Sequence, residues 1–422
     1  MADEKIPKLQ VDSKDASTKL ELLRLTGRSN HMWVLLWSLL LGGVNFHFDG
    51  RTPVVLYFDV VLALWLVYQM SWNASFPDFS GWIVRLGAFC LVSGVLSAMV
   101  NTHDIYKSLA ALKVLACGLL VYAVARKSAP SVFAVSLWGA AVGILLLANY
   151  QTVQYGVYQG EAGLKDEIGI VLGRSNYVAS ILLLLIPLAI AGVSFHRGKI
   201  RLVFAGCAML MFAGLIVTMS RGAVLAILLA TILSLPLMYK AGLRVKHVIP
   251  VLVLSAAVML LLPSDLVMAD AALVVYRWTN PDLSRAELMK VSWQSFQENP
   301  VLGVGPGQLG EAMASRMVVP DYSQQYMNSH NLIVNALAEN GLPAGLALLA
   351  MVGVVLYRAL KRAVIHSTPL DVALWLALFA AVIHNMVEAS FEGLQFQVVF
   401  WTVVGMAEAR HRCVRAFAQS IA

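Results

Sequence analysis

Charged residues are scarce in this chain of 422 residues: Asp, Glu, Lys and Arg make up only 13% of it, whereas ~25% is usual for soluble domains. Hydrophobic residues make up 59%, and the mean hydropathy is +0.73. The apolar residues form long runs, and about 20 such residues cross a bilayer core of ~30 Å as a helix. The composition therefore excludes a soluble enzyme and predicts an integral membrane protein.

Cysteine is also scarce. Cys90, Cys117 and Cys207 lie in apolar runs and Cys413 lies in a basic C-terminal segment, without the paired spacing of zinc ligands. We therefore expect neither a disulfide framework nor a zinc site. The net charge of +7 is interpreted as a determinant of membrane topology and not as a nucleic-acid surface, because basic residues of membrane proteins collect in cytoplasmic loops.

Twelve apolar runs predict an all-α protein with about twelve transmembrane helices, nine within residues 31–262 and three within 331–409. Residues 1–30 are polar and basic without an apolar signal-peptide core, so they are expected to be a cytoplasmic tail, as are residues 410–422. Residues 263–330 form a long loop. The runs lie near residues 31–47, 53–70, 81–100, 108–125, 131–150, 176–195, 200–219, 222–239, 247–262, 331–357, 371–389 and 393–409.

The positions of the basic residues predict the orientation of these helices. With the N-terminus in the cytoplasm, most of the 31 Lys and Arg residues fall in the two tails and in the short connections on the same side. The positive-inside rule therefore places both termini in the cytoplasm. The longest loops, 151–175 and 263–330, then lie outside, and long loops are usually functional. Apolar residues at helical spacing between Asp282 and Gln297 predict a short helix on the membrane surface.

A break is predicted in the helix that follows the long loop. From Asn331 to Arg358 an unbroken helix would be ~40 Å long, more than a bilayer core needs. Gly341 and Pro343 favour a break, which leaves a short helix before Gly341 with Asn331, Asn335 and Glu339 on one polar face. We interpret that face as the lining of a water-filled cavity.

His330 stands at the N-terminal end of this short helix, on the outer side. Histidine titrates near pH 6.5, and a positive helix end favours its neutral, basic form, which suits proton abstraction. A structural role at the membrane boundary is the alternative. Later in the chain, four polar residues cluster near the outer end of the eleventh run. No role is assigned to these residues, His384, Asn385, Glu388 and Glu392.

Three arginines are candidates for binding a phosphate or pyrophosphate group on the outer side. Arg221 lies in the tight turn between the seventh and eighth runs, Arg285 lies in the long loop, and Arg174 precedes the sixth run. Guanidinium groups pair bidentately with phosphate oxygens. Membrane anchoring or pairing with nearby acidic residues is the alternative. The run from Asn299 to Gln308 is rich in glycine and can form an anion-binding nest, or it is a tight connector.

A series of motifs follows in chain order: Ser220-Arg221-Gly222, Arg285 with Trp293, Asn299-Pro300, Gly303-Val304-Gly305-Pro306-Gly307, His330-Asn331, and Glu339 with Gly341 and Leu342. Together these motifs resemble the O-antigen ligase and polymerase superfamily, while residues 1–170 match it only in hydropathy. The resemblance implies a GT-C-like membrane glycosyltransferase in the bacterial inner membrane. Its donor would be a glycan on undecaprenyl pyrophosphate at the periplasmic face, and its acceptor a sugar of lipid A-core.

By the same resemblance, His330 would activate the acceptor hydroxyl, and Arg221 and Arg285 would hold the pyrophosphate. Arg174 is a third candidate ligand outside the matching motifs, and Asn331 and Glu339 are supporting residues. No clustered acidic motif in an outer loop asks for a metal ion, so we expect metal-independent transfer without a cofactor, and inversion at the anomeric carbon if one direct displacement occurs.

Three other functions fit parts of this pattern. An O-antigen polymerase would use the same donor, and a protein glycosylator would be longer at its C-terminus. A secondary transporter of the major facilitator type also has twelve spans, but it has a long central cytoplasmic loop. Here only His196 to Lys199 join the sixth and seventh runs. We therefore expect a ligase, with the polymerase as the nearest alternative.

Overall fold

The computed structural model describes residues 32–40, 45–46, 55–72, 79–101, 104–127, 131–152, 169–170, 172–243, 283–316 and 328–421. The predicted N-terminal tail and the predicted span near 247–262 lie outside these residues, as do most of the loop 151–175 and parts of the loop 263–330. Two short antiparallel hairpins occur in the described part, β1 (Asn45–Phe46) with β2 (Val55–Leu56) and β3 (Gly169–Ile170) with β4 (Gly173–Arg174).

The rest of the described chain is mainly helical, as the apolar runs predict. The helices are α1 (Met32–Leu40), α2 (Tyr57–Trp72), α3 (Trp82–Asn101), α4 (Ile105–Ala125), α5 (Val132–Thr152), α6 (Ser175–Phe195), α7 (Gly198–Val217), α8 (Arg221–Lys240), α9 (Leu283–Glu298), α10 (Leu309–Ala314), α11 (Leu332–His366), α12 (Pro369–His384) and α13 (Leu394–Ile421). A 3-10 turn, Ser390–Glu392, joins α12 to α13.

Seven helices in the described part are long and apolar enough to cross a membrane, namely α3 to α8 and α11, and shorter apolar helices lie in α2, α12 and α13. Every predicted apolar run except the one near 247–262 corresponds to a described helix. A helix also spans the segment from Asp282 to Gln297 where a short one is predicted. The prediction of an all-α, multi-pass membrane protein is therefore confirmed.

Helix α6 forms the centre of the bundle. Its residues 181–186 are fully buried, and it packs against α5, α7, α12 and α13. Small residues allow its neighbours to approach closely, because a Cβ added to Gly143 of α5 would lie 2.4 Å from the backbone oxygen of Leu210 in α7. Close backbone packing through glycine is a common way for membrane helices to associate. Helix α6 is thereby enclosed by closely packed neighbours.

Helix α11 contains the predicted break. Gly341 has φ 70° and ψ −178°, which is not helical and is essentially restricted to glycine. A short first segment therefore precedes Gly341, and a long apolar segment follows it. The prediction of two helices separated at this glycine is confirmed.

Several boundaries differ from the predicted ones. Asn45–Phe46 forms a strand inside the run predicted at 31–47, and α11 continues to His366, past the predicted end at residue 357. Helix α12 ends at His384, earlier than residue 389, because the chain turns at Asn385, whose carbonyl oxygen accepts a hydrogen bond from the Leu332 amide instead of continuing the helix. Helix α13 continues to Ile421 through the segment predicted as a tail at 410–422. Hydropathy marks where a chain leaves the apolar core, but a helix does not have to end there.

Candidate active site

The ends of several helices surround a polar pocket at one end of the bundle. The N-terminal ends of α6 and α8, the start of α9 and the C-terminal end of α12 contribute its lining. The pocket holds about 240 Å³ of empty space, part of which is open to solvent. Its lining residues are Asn176, Ser220, Arg221, Gly222, Arg285, His384 and Glu388.

His330 lies beside this pocket, directly before α11. Its φ of 48° is unusual for a residue with a side chain, and such strain often occurs at functional sites. The backbone is held by a bond from the His330 amide to Asn328 Oδ1, at 3.0 Å. Next in the chain, Asn331 caps α11 by accepting bonds from the amides of Ile333 and Val334. Its Nδ2 donates to the Met386 carbonyl at 2.9 Å, which ties the start of α11 to the turn after α12.

Glu388 connects the groups around the site. Its side chain is only 3% exposed, and its two oxygens face three partners. Oε1 lies 3.0 Å from His330 Nδ1, and Oε2 accepts a bond from Asn176 Nδ2 at 2.6 Å and lies 3.5 Å from Arg285 Nη2. A carboxylate on Nδ1 orients the imidazole and directs Nε2 toward a substrate, as in other histidine–carboxylate pairs.

The surroundings of Glu388 keep it ionised. Burial by itself raises the pKa of this carboxyl, but a hydrogen bond and the electrostatic influence of three neighbouring side chains oppose that effect. The hydrogen bond from His330 and the electrostatic interactions with His330, Arg285 and His384 lower the pKa to about 2. The carboxylate is therefore negatively charged at any physiological pH and can stabilise a positive imidazolium on His330.

Two of the three predicted arginines line the pocket. Arg221 is the first residue of α8, after Met219, which has a φ of 50°. Arg285 lies in the first turns of α9, and its Nη1 donates to the Val387 carbonyl at 3.0 Å. Arg174 ends β4, directly before α6, but its side chain lies outside the described residues. The structure thus brings together His330, Arg221 and Arg285 from three distant parts of the chain.

The glycine-rich connector binds a carboxylate of the same chain. The Gly307 amide donates to Glu339 Oε1 at 3.2 Å, and the amides of Gly305 and Val304 donate to the carbonyls of Glu339 and Ala338. The glycine-rich segment that was a candidate anion-binding nest therefore binds the side chain of Glu339 from the same chain. On the same face of α11, Asn335 is buried and accepts a bond from Ser329.

Sequence reasoning missed the role of the segment after α12 in the site. His384 and Glu388 both line the pocket, together with Asn176 of α6. The sequence did mark this segment, because it carries ionisable residues at the end of an apolar run, and such residues are often functional. However, the sequence showed neither which residues they would contact nor that α12 would end at His384.

Fold and site together define a multi-pass membrane protein with a histidine, a glutamate and two arginines around a polar pocket at one end of its helices. The family model described as O-antigen ligase matches residues 206–349, about a third of the chain, and this segment includes Arg221, Arg285 and His330. No curated protein matches the chain. The family match confirms the resemblance to the O-antigen ligase and polymerase superfamily, and it indicates an enzyme of the membrane glycosyltransferase type.

Proposed function

We propose that this protein is an O-antigen ligase of lipopolysaccharide biosynthesis. It transfers a glycan en bloc from undecaprenyl pyrophosphate to a sugar hydroxyl of lipid A-core, at the periplasmic face of the bacterial inner membrane. The observation that carries this proposal is the contact of one buried carboxylate, Glu388, with both His330 and Arg285. This contact joins a candidate base beside the pocket to a candidate phosphate ligand that lines it.

In this proposal His330 is the general base. Its Nδ1 faces Glu388, so Nε2 receives the proton from the acceptor hydroxyl. The hydroxyl oxygen forms a bond to the anomeric carbon of the donor as the bond from that carbon to the pyrophosphate oxygen breaks. The electron pair leaves with undecaprenyl pyrophosphate, and Glu388 stabilises the imidazolium that forms.

Arg221 and Arg285 bind the pyrophosphate and stabilise the charge that develops on its leaving oxygen. Their position in one pocket supports this role, and Arg174 is proposed as a third ligand from β4. Asn331 supports the site by capping α11, and Glu339 supports it by holding the glycine-rich connector. Because guanidinium groups supply the positive charge, we propose transfer without a metal ion or cofactor, with inversion at the anomeric carbon.

The test is a reconstituted transfer assay with purified protein, undecaprenyl-pyrophosphate-linked glycan, lipid A-core and EDTA. We expect glycan on lipid A-core with the wild type, and a kcat ~10²- to 10⁴-fold lower for His330→Ala. Glu388→Gln should lower kcat by up to ~10⁴-fold, because the amide no longer orients the imidazole or stabilises the imidazolium. Arg221→Lys and Arg285→Lys should each lower kcat ~10²-fold.

Matched controls separate these effects from general damage. His366→Gln changes a histidine at the other end of α11, and Glu298→Gln changes a glutamate of α9 that pairs with Arg316. Both controls should retain activity within about twofold. An active His330→Ala, loss of activity with EDTA, or a product that retains the anomeric configuration would each contradict a part of the proposal.

The polymerase is the second candidate, because the family model covers a superfamily that includes it. A polymerase would extend another lipid-linked glycan and leave lipid A-core unmodified. The same assay distinguishes the two enzymes: longer lipid-linked chains without modified lipid A-core would establish a polymerase.

A further inference from the structure

We propose that His384 is a positioning residue that sets the distance between Arg221 and Glu388 across the donor pocket. This inference rests on the proposed function, because it assumes that the pocket holds the pyrophosphate of the donor. His384 lies outside the matched residues 206–349. Its side chain is 1% exposed, yet it lines the pocket with both arginines.

One edge of the His384 ring contacts a buried pair of hydroxyl groups. Nδ1 lies 2.6 Å from Ser180 Oγ, which lies 2.6 Å from Ser390 Oγ. Ser180 also donates to the Asn176 carbonyl, at 3.1 Å. Both serines are fully buried, so these hydrogen bonds do not compete with water and hold the ring in one orientation.

The other edge of the ring contacts the turn that carries Arg221. His384 Nε2 lies 3.4 Å from Ser220 Oγ, the residue before Arg221. Next to it, Gly222 packs directly on the ring, because an added Cβ would lie 3.2 Å from His384 Cδ2 and 3.0 Å from Val387 Cγ2. The N-terminal end of α8 therefore rests on His384, and movement of the ring would move Arg221.

The three elements that His384 joins are the ones that supply the pocket with its polar groups. Helix α6 carries Ser180 and, one turn earlier, Asn176, which binds Glu388. Helix α8 carries Ser220 and Arg221, and the turn after α12 carries Ser390 and Glu388. Each contact of His384 is thus close in sequence to a residue of the site. This arrangement allows His384 to position the polar groups of the pocket through these neighbouring residues.

The experiment measures the Kd of undecaprenyl diphosphate for the purified full-length protein in detergent. We expect Arg221→Ala to weaken binding at least ~10-fold, and His384→Gln and His384→Asn to weaken it by about the same factor. Because His384 acts through Arg221, the double variant Arg221→Ala with His384→Gln should bind no more weakly than Arg221→Ala alone.

Ser234→Ala is the matched control. It removes another buried hydrogen bond between the same two helices, from Trp375 Nε1 of α12 to Ser234 Oγ of α8, at 3.0 Å and away from the pocket. We expect its Kd to stay within twofold of the wild type even where its melting temperature falls. If His384→Gln does not fold, Ser180→Ala breaks the contact at Nδ1 with a smaller change and should weaken binding in the same direction.

The outcomes separate the inference from the proposed function. Wild-type affinity of the His384 variants, or an additive effect in the double variant, overturns the positioning role alone. Unchanged affinity of both Arg221→Ala and Arg285→Ala, or no binding by the wild type, overturns the donor pocket and the inference with it.

Discussion

At the residue scale, the buried carboxylate of Glu388 balances the positive groups of the site. A buried ion pair contributes little net stability by itself, but removal of one partner leaves the others uncompensated. Here the carboxylate faces His330, Arg285 and Asn176 at once. Substitution of Glu388 therefore disturbs the orientation of the His330 imidazole and of the Arg285 guanidinium at the same time. The resulting loss of activity is expected to reflect both partners.

The lowered pKa of Glu388 predicts a dependence of stability on pH. The pKa falls from its ordinary value of 4.5 to about 2, which corresponds to about 3 kcal/mol. Since the folded-state pKa lies below the ordinary value, the carboxylate stabilises the fold fully above pH 4.5 and loses this effect as the pH falls toward 2. Between pH 6 and pH 3, the melting temperature of the wild type in detergent should fall further than that of Glu388→Gln. An equal fall in melting temperature for the two proteins over this pH range would contradict the prediction.

At the scale of elements, the break in α11 is where the glycine-rich connector attaches. The Leu342 amide donates to the Pro300 carbonyl at 2.8 Å, and the Val304 amide donates to the Ala338 carbonyl at 2.9 Å. Backbone groups released by the break thus find partners in the connector, as buried polar groups in a membrane protein require. The short first segment of α11, which begins next to His330, is held in place by these bonds.

We expect Gly341→Ala to destabilise the protein and to lower activity. Alanine is strained at a φ of 70°, and its Cβ would lie 2.1 Å from the Val301 carbonyl oxygen, so the connector must shift; strain of this kind costs ~1–3 kcal/mol. Gly353→Ala is the control on the same helix, because nothing lies within 4 Å of its added Cβ. In thermal unfolding, the melting temperature should fall for Gly341→Ala and stay unchanged for Gly353→Ala. Equal melting temperatures would show that the break does not need glycine.

At the scale of the whole molecule, two polar clusters lie at opposite ends of the long helix α11. The site lies at its N-terminal end. Toward its C-terminal end, Glu408 of α13 lies 2.7 Å from Arg362, 3.3 Å from Arg358 and 3.8 Å from Arg126. Because basic residues of membrane proteins collect on the cytoplasmic side, we propose that this arginine-rich end faces the cytoplasm and that the pocket faces the periplasm.

This orientation predicts which positions a membrane-impermeant maleimide can reach in intact cells whose outer membrane is made permeable. In a variant without the four native cysteines, Glu287→Cys on the exposed side of α9 should be labelled. Lys199→Cys, at the exposed N-terminal end of α7, should be labelled only after the inner membrane is disrupted. The reverse pattern would place the pocket in the cytoplasm and exclude a periplasmic transfer reaction.

The sequence by itself determined the features that depend on neighbouring residues. Hydropathy predicted the helical runs, Gly341 predicted the break in α11, and turn and charge patterns singled out His330, Arg221 and Arg285. Only the tertiary structure decided how these residues meet. The bond from Asn176 to Glu388 joins residues 212 positions apart, and the end of α12 at His384 depends on contacts with α11. Such pairings arise from the packing of whole helices, which local periodicity does not encode.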